Sequence, residues 1–124
     1  MTFEEYQAKV DACFSPLPTP DEVINWAKEN GYKFQCGKIG KSGGGCAIGA
    51  VAFMRYPQVL NDAAQFADGM TNPYNIFTGA LYGTCGKPND RRPIYDGFDD
   101  LYTDDIDDPR YKFGVELRKL AFGL

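Results

Sequence analysis

The feature that most limits the fold is the run Cys46-Ala47-Ile48-Gly49-Ala50-Val51-Ala52-Phe53-Met54, which is apolar at every position. A helix without a polar side has nothing to turn toward water, so other elements must enclose it. The run is far short of the length that spans a bilayer, and the core of a globular domain is the place left for it. Tyr56-Pro57 ends it, because proline lacks an amide donor and disfavours the helical region in its predecessor. A buried central helix over 46–56 predicts a shell of amphipathic helices around it.

Those shell helices carry their own punctuation. Thr2 and Glu5 form a capping box, and Tyr6, Val10, Cys13 and Phe14 fall on one face of a helix from Thr2 to about Phe14. Thr19, Pro20 and Glu22 open a second helix that Gly31 closes, with Val23, Ile24 and Ala27 inward. Val59, Leu60, Ala63, Ala64 and Ala67 define a third that stops at Gly69. Asn72-Pro73 starts another, with Ile76, Phe77, Ala80 and Leu81 inward and Gly83 as its stop. Asp108-Pro109 opens the last, with Phe113, Leu117, Leu120 and Leu124 on one stripe. Tyr32 to Cys36 alternates aromatic with polar residues, which admits a small β-hairpin near 32–40. Residues 83–107 are rich in Gly, Pro, Asn and Asp, show no helical period and read as a long irregular segment, a kind that is often functional. A chain of 124 residues has room for one core, so the expectation is a single mainly α domain, 1–124, of about six short helices.

Charge locates the candidate interaction surface. The net charge is −4, yet residues 1–95 carry nine acids and nine bases, 96–108 carry seven aspartates and no base, and 109–124 carry four bases and one acid. An acidic chain does not suit direct nucleic-acid binding, which needs a basic face, but it suits a partner protein with a basic surface. Seven like charges close together repel one another, and Asp96, Asp99, Asp100, Asp104, Asp105, Asp107 and Asp108 read most simply as a solvated loop in which Asp108 caps the last helix. The interleaved Phe98, Leu101, Tyr102 and Ile106 supply the apolar anchors that an interface needs and pure charge lacks, so the same segment also reads as a docking face. A calcium site is a third reading, although the spacing does not fit a twelve-residue EF-hand loop and lacks its closing glutamate.

Catalytic constellations are scarce. The chain has no histidine, which removes Ser-His-Asp and Cys-His arrangements, His-ligated zinc and the usual general base near neutral pH. Cys13, Cys36, Cys46 and Cys85 form no C-x-x-C pair, so no zinc ribbon or redox motif is present and reduced thiols are expected. Gly40-Lys41-Ser42 suggests a phosphate-binding loop, but Gln35 stands where its first glycine belongs, and three further glycines delay the helix. Cys46 is the one cysteine placed at a helix start, where the dipole favours a thiolate, yet no base is placed beside it. As a small apolar residue it equally suits a buried position. The clustered aspartates do not offer the rigidly separated carboxylates of a glycosidase, and Tyr74, Tyr82 and Tyr95 read as half-buried aromatics with a wet hydroxyl.

Gly45-Cys46-Ala47-Ile48-Gly49-Ala50 resembles the C-x-x-G-A element that opens an apolar helix in small bacterial and phage proteins, and Phe98-Asp99-Asp100 is similar to an F-N/D-D element in some of them. The resemblance covers about a tenth of the chain and implies a prokaryotic or phage origin and an α-rich fold, with no activity attached. Together these readings predict a cytoplasmic, non-enzymatic protein without cofactor or metal, which binds a basic partner protein through Asp96, Phe98, Asp99, Asp100, Tyr102, Asp104 and Asp105. Inhibition of a host defence or nucleic-acid-handling machine is the role such an origin suggests. The alternatives are a small-ligand binder or enzyme using Cys46 as its catalytic residue, and a calcium-binding module.

Overall fold

The computed structural model describes residues 1–36, 43–82, 91–100 and 106–123. Within them the chain forms α1 (Phe3–Ala12), α2 (Pro20–Asn30), β1 (Lys33–Phe34), β2 (Gly44–Gly45), α3 (Ala47–Arg55), α4 (Val59–Ala63), a 3-10 turn (Ala64–Phe66), α5 (Pro73–Tyr82), α6 (Arg92–Phe98) and α7 (Pro109–Phe122). The architecture is mainly α, with α3 at its centre. Residues 46–53 are all buried, and α2, α5, α6, α7 and β2 pack around them. Among the described residues no helix is long and apolar enough to cross a membrane.

The local signals act as their chemistry requires. Thr2 and Thr19 each accept from the amide three residues on, Glu5 and Glu22 return the bond, and Gly31 closes α2 in the left-handed region at φ 69°. Each such cap contributes about 1 kcal/mol. Tyr6, Val10, Cys13 and Phe14 are buried as one face, and the Tyr6 hydroxyl donates to the Val59 carbonyl at 2.9 Å, which ties α1 to α4. The Tyr32 hydroxyl donates to the Cys46 carbonyl at 2.9 Å and pins the start of α3 to the turn after α2.

Four departures have physical reasons. First, β1 does not fold back into a hairpin near 32–40: Lys33 and Phe34 pair in parallel with Gly44 and Gly45, and residues 37–42 lie outside the described set. Second, the helix from Val59 is only five residues long before it tightens into a 3-10 turn, and no capping side chain supports its start. Third, on α7 the buried side is Phe113, Gly114 and Leu117, while Leu120 is 46% exposed; Leu124 lies outside the described residues. Fourth, α6 lies inside the stretch expected to be irregular, of which 83–90 and 101–105 are not described.

The reason α6 exists is visible only in its packing. Ile94, Gly97 and Phe98 form a helical face that turns onto α7, where Gly114 receives it. A Cβ on Gly97 would collide with the Tyr111 carbonyl oxygen, and one on Gly114 would collide with the Ile94 carbonyl and the Phe98 amide. The two backbones approach this closely because both positions lack a side chain. Glycine lowers helix propensity, so a feature that reads as a breaker in sequence is here the condition for the helix to dock.

Candidate functional site

The docking of α6 determines where the acidic residues go. Asp96 is half-buried in its last turn, Asp99 is its C-cap, and Asp100 follows, exposed and at φ 59°, the one left-handed non-glycine among the described residues. A helix C-terminus carries partial negative charge, and a carboxylate there costs about 0.3–1 kcal/mol where a cation would gain as much. Asp99 accepts a hydrogen bond from the Tyr95 hydroxyl; burial first, and then this carboxylate, pushes that hydroxyl well above the usual tyrosine range. The half-buried Arg118 on α7 reaches the exposed Asp100 only at 4.0 Å.

Asp108 is different in kind. It sits at the favourable N-terminus of α7 and accepts from the Arg110 amide at 2.8 Å, from its Nε at 3.1 Å and from its Nη2 at 2.8 Å. The bonds to Arg110 hold the Asp108 carboxyl below its usual range. Its work is structural.

Of the expected contact residues, Asp96, Asp99 and Asp100 are brought together at one end of α6, whereas Tyr102, Asp104 and Asp105 lie outside the described residues. Phe98 is a correction: it is fully buried, its ring 5.7 Å from Phe34 on one side and 5.7 Å from Phe122 on the other, and it offers no surface to a partner. The i, i+3, i+4 relation of Ile94, Gly97 and Phe98 turns it inward. The exposed apolar side chains are instead Phe122, against the outer side of Phe98, and Ile106 just before α7. Phe122 could have been found from the α7 stripe, since it lies four residues beyond Arg118 and off the buried face.

Cys46 caps the start of α3 without exposure to solvent. Burial pushes its thiol up to about 11, although the Gly49 and Ile48 amides work the other way. A sealed thiol whose pKa burial raises suits a packing role. Its surroundings also bring together the two sequence elements that resembled bacterial and phage proteins: α3 packs against α6, and the Asp99 carboxylate is near enough to Cys46 to raise its pKa further. Cys13, Cys36 and Cys46 are all free thiols, and Cys85 is outside the described residues. Among the described residues no three acidic, cysteine or histidine side chains gather in a way that could hold a metal ion.

One residue of this region gave no sequence signal. Arg91, directly before α6, is 3% exposed, its Nη2 lies 2.5 Å from Asp11 Oδ1 on α1, and its guanidinium stacks 4.8 Å from the centre of the Phe14 ring. It locks the start of α6 to α1, so the acidic end at the other terminus of α6 is held by a rigid base. Comparison with family models, curated proteins and solved structures gives no match to this chain.

Proposed function

We propose that the protein acts by binding and not by catalysis, presenting the carboxylate-rich end of α6 to a basic surface on a partner protein. The observation that supports this most is the position of Asp96, Asp99 and Asp100 at the C-terminal end of a helix, with Asp100 in a backbone conformation that most side chains avoid. Selection for stability alone removes carboxylates from such a position, and violations of local rules concentrate where function demands them. Like charges gathered on one rigid end steer encounter with a cationic patch, and the partly exposed Phe122 beside them adds apolar area to contacts that charge alone makes weakly. The setting we propose is a prokaryotic cytoplasm. The partner class is a protein whose basic groove normally holds nucleic acid, so that occupation by this acidic face inhibits it.

The test is retention of partners from a bacterial lysate at low and at high salt, identified by mass spectrometry, for the native chain and for Asp96→Asn/Asp99→Asn/Asp100→Asn. The expected result is one basic protein held at low salt, weakened by high salt, and lost from a variant that keeps the native circular dichroism and melting temperature. Equal retention by the variant overturns the reading.

A further inference from the structure

A second site lies away from the acidic end, where α1, the end of α3 and the start of α4 line an open depression of about 530 Å³. That volume is in the range of small-molecule sites. Its wall includes Lys9, Arg55, Tyr56, Gln58 and Asp62. Arg55 is the last residue of α3, and its Nη1 donates to the Cys13 carbonyl at 2.9 Å and also to the Pro16 carbonyl. Both hydrogens of that nitrogen are thereby used, and the plane of the guanidinium is fixed. The remaining fork, Nε with Nη2, makes no hydrogen bond or ion pair to any described residue. Lys9 Nζ sits 5.2 Å from the centre of the Tyr56 ring and likewise has no ion-pair partner among the described residues. Lys9 and Arg55 thus bring two positive charges to one depression whose single carboxylate is Asp62.

We infer that this depression binds a small hydroxylated phosphate monoester, with the phosphate on Arg55 and Lys9 and a hydroxyl toward Asp62. A guanidinium fork held in place by backbone carbonyls matches two phosphate oxygens, and a mobile ammonium supplies a second positive charge for what is close to a dianion at neutral pH. Preorganisation matters here, because a cation already fixed by other bonds loses little freedom when the ligand arrives. Asp62 sets the rest of the ligand. Its Oδ2 accepts from the Tyr56 hydroxyl, and its other oxygen remains an acceptor. A bare anion is repelled by that carboxylate, whereas an ester with a neighbouring hydroxyl can donate to it. The inference is independent of the partner proposed for the acidic end, so either can fail without the other.

The experiment titrates the isotopically labelled full chain with glycerol 3-phosphate, inorganic phosphate and glycerol at constant ionic strength, following the Arg55 Nε–H resonance and the amides of residues 55–62. Glycerol 3-phosphate is expected to give a saturable shift, inorganic phosphate a weaker one and glycerol none. Lys9 is exposed, so Lys9→Met keeps the fold, and the loss of a charge-assisted contact weakens binding by about tenfold or more. Arg55→Lys, which removes the fork, weakens it further. No saturable shift with glycerol 3-phosphate, or unchanged affinity in Lys9→Met, overturns the site. Inorganic phosphate binding as tightly as the ester overturns the role given to Asp62.

Discussion

The surroundings of α3 and the acidic end of α6 touch one another, yet they are built on opposite terms. Around the first seven residues of α3 the choices favour the folded state: Ala47 to Phe53 have no polar side, their flank is sealed, and Cys46 at their start is held neutral by burial. At the end of α6 three aspartates gather where the helix field disfavours them, and one of them is in a left-handed conformation. Burial accounts for the first region, whereas in the second the Tyr95 bond to Asp99 is set against a helix end that disfavours carboxylates. The contrast teaches where in the chain to look for function.

The strongest way to break this comparison is at the contact that joins the two regions. Gly114→Ala places a Cβ against the Ile94 carbonyl and the Phe98 amide, and backbone cannot yield as a side-chain tip does. A loss of about 3 kcal/mol or more in urea unfolding is expected, at the upper end of overpacking costs. Gly79→Ala on α5 is the control: a Cβ there meets nothing within 4 Å, and alanine's helix propensity makes the change neutral or slightly stabilising. If the two substitutions cost the same, α6 and α7 are not in close contact and the acidic end has no rigid support.

A smaller effect sharpens the account of the sealed centre. Cys46→Ser puts a hydroxyl where a thiol is fully enclosed, for an expected loss of about 2 kcal/mol, while Cys36→Ser, at an exposed position, costs close to nothing. A thiol reagent followed by peptide mapping should modify Cys36 in the folded protein and Cys46 only on unfolding. Labelling of Cys46 in the native state would return it to consideration as a reactive group.

The elements with strong punctuation were legible in the sequence. The two capping boxes, the Gly31 stop, the Asp108-Pro109 start and the all-apolar run give α1, α2, α7 and α3 to within a residue or two, since each signal acts through its immediate neighbours. What was not legible depends on partners distant in the chain. Gly97 and Gly114 read as breakers until they are seen to face each other. Lys33-Phe34 has its ladder partner at Gly44-Gly45, across a segment that no local turn rule connects in parallel. Phe98 reads as an exposed aromatic in an acidic loop until α6 turns it inward, and Arg91 takes its importance from Asp11 and Phe14, both far away in sequence. The candidate site was therefore half legible: the carboxylates were located, but the helix that presents them and the apolar residue beside them were not.

The smallest expected effect bears most directly on the contrast. Asp100→Asn keeps a residue that tolerates the left-handed region and removes the charge from the helix end; Asp100→Gly removes the backbone penalty as well. The 4.0 Å approach of Arg118 to an exposed Asp100 is too long to offset this. Thermal unfolding should show Asp100→Asn slightly more stable than the native chain and Asp100→Gly more stable again, by about 0.5 kcal/mol. Partner retention should fall in the same two variants. A residue whose removal strengthens the fold while weakening binding is kept for binding. A loss of stability in both variants would mean that Asp100 serves the fold, and the acidic end would then differ from the sealed centre in charge alone.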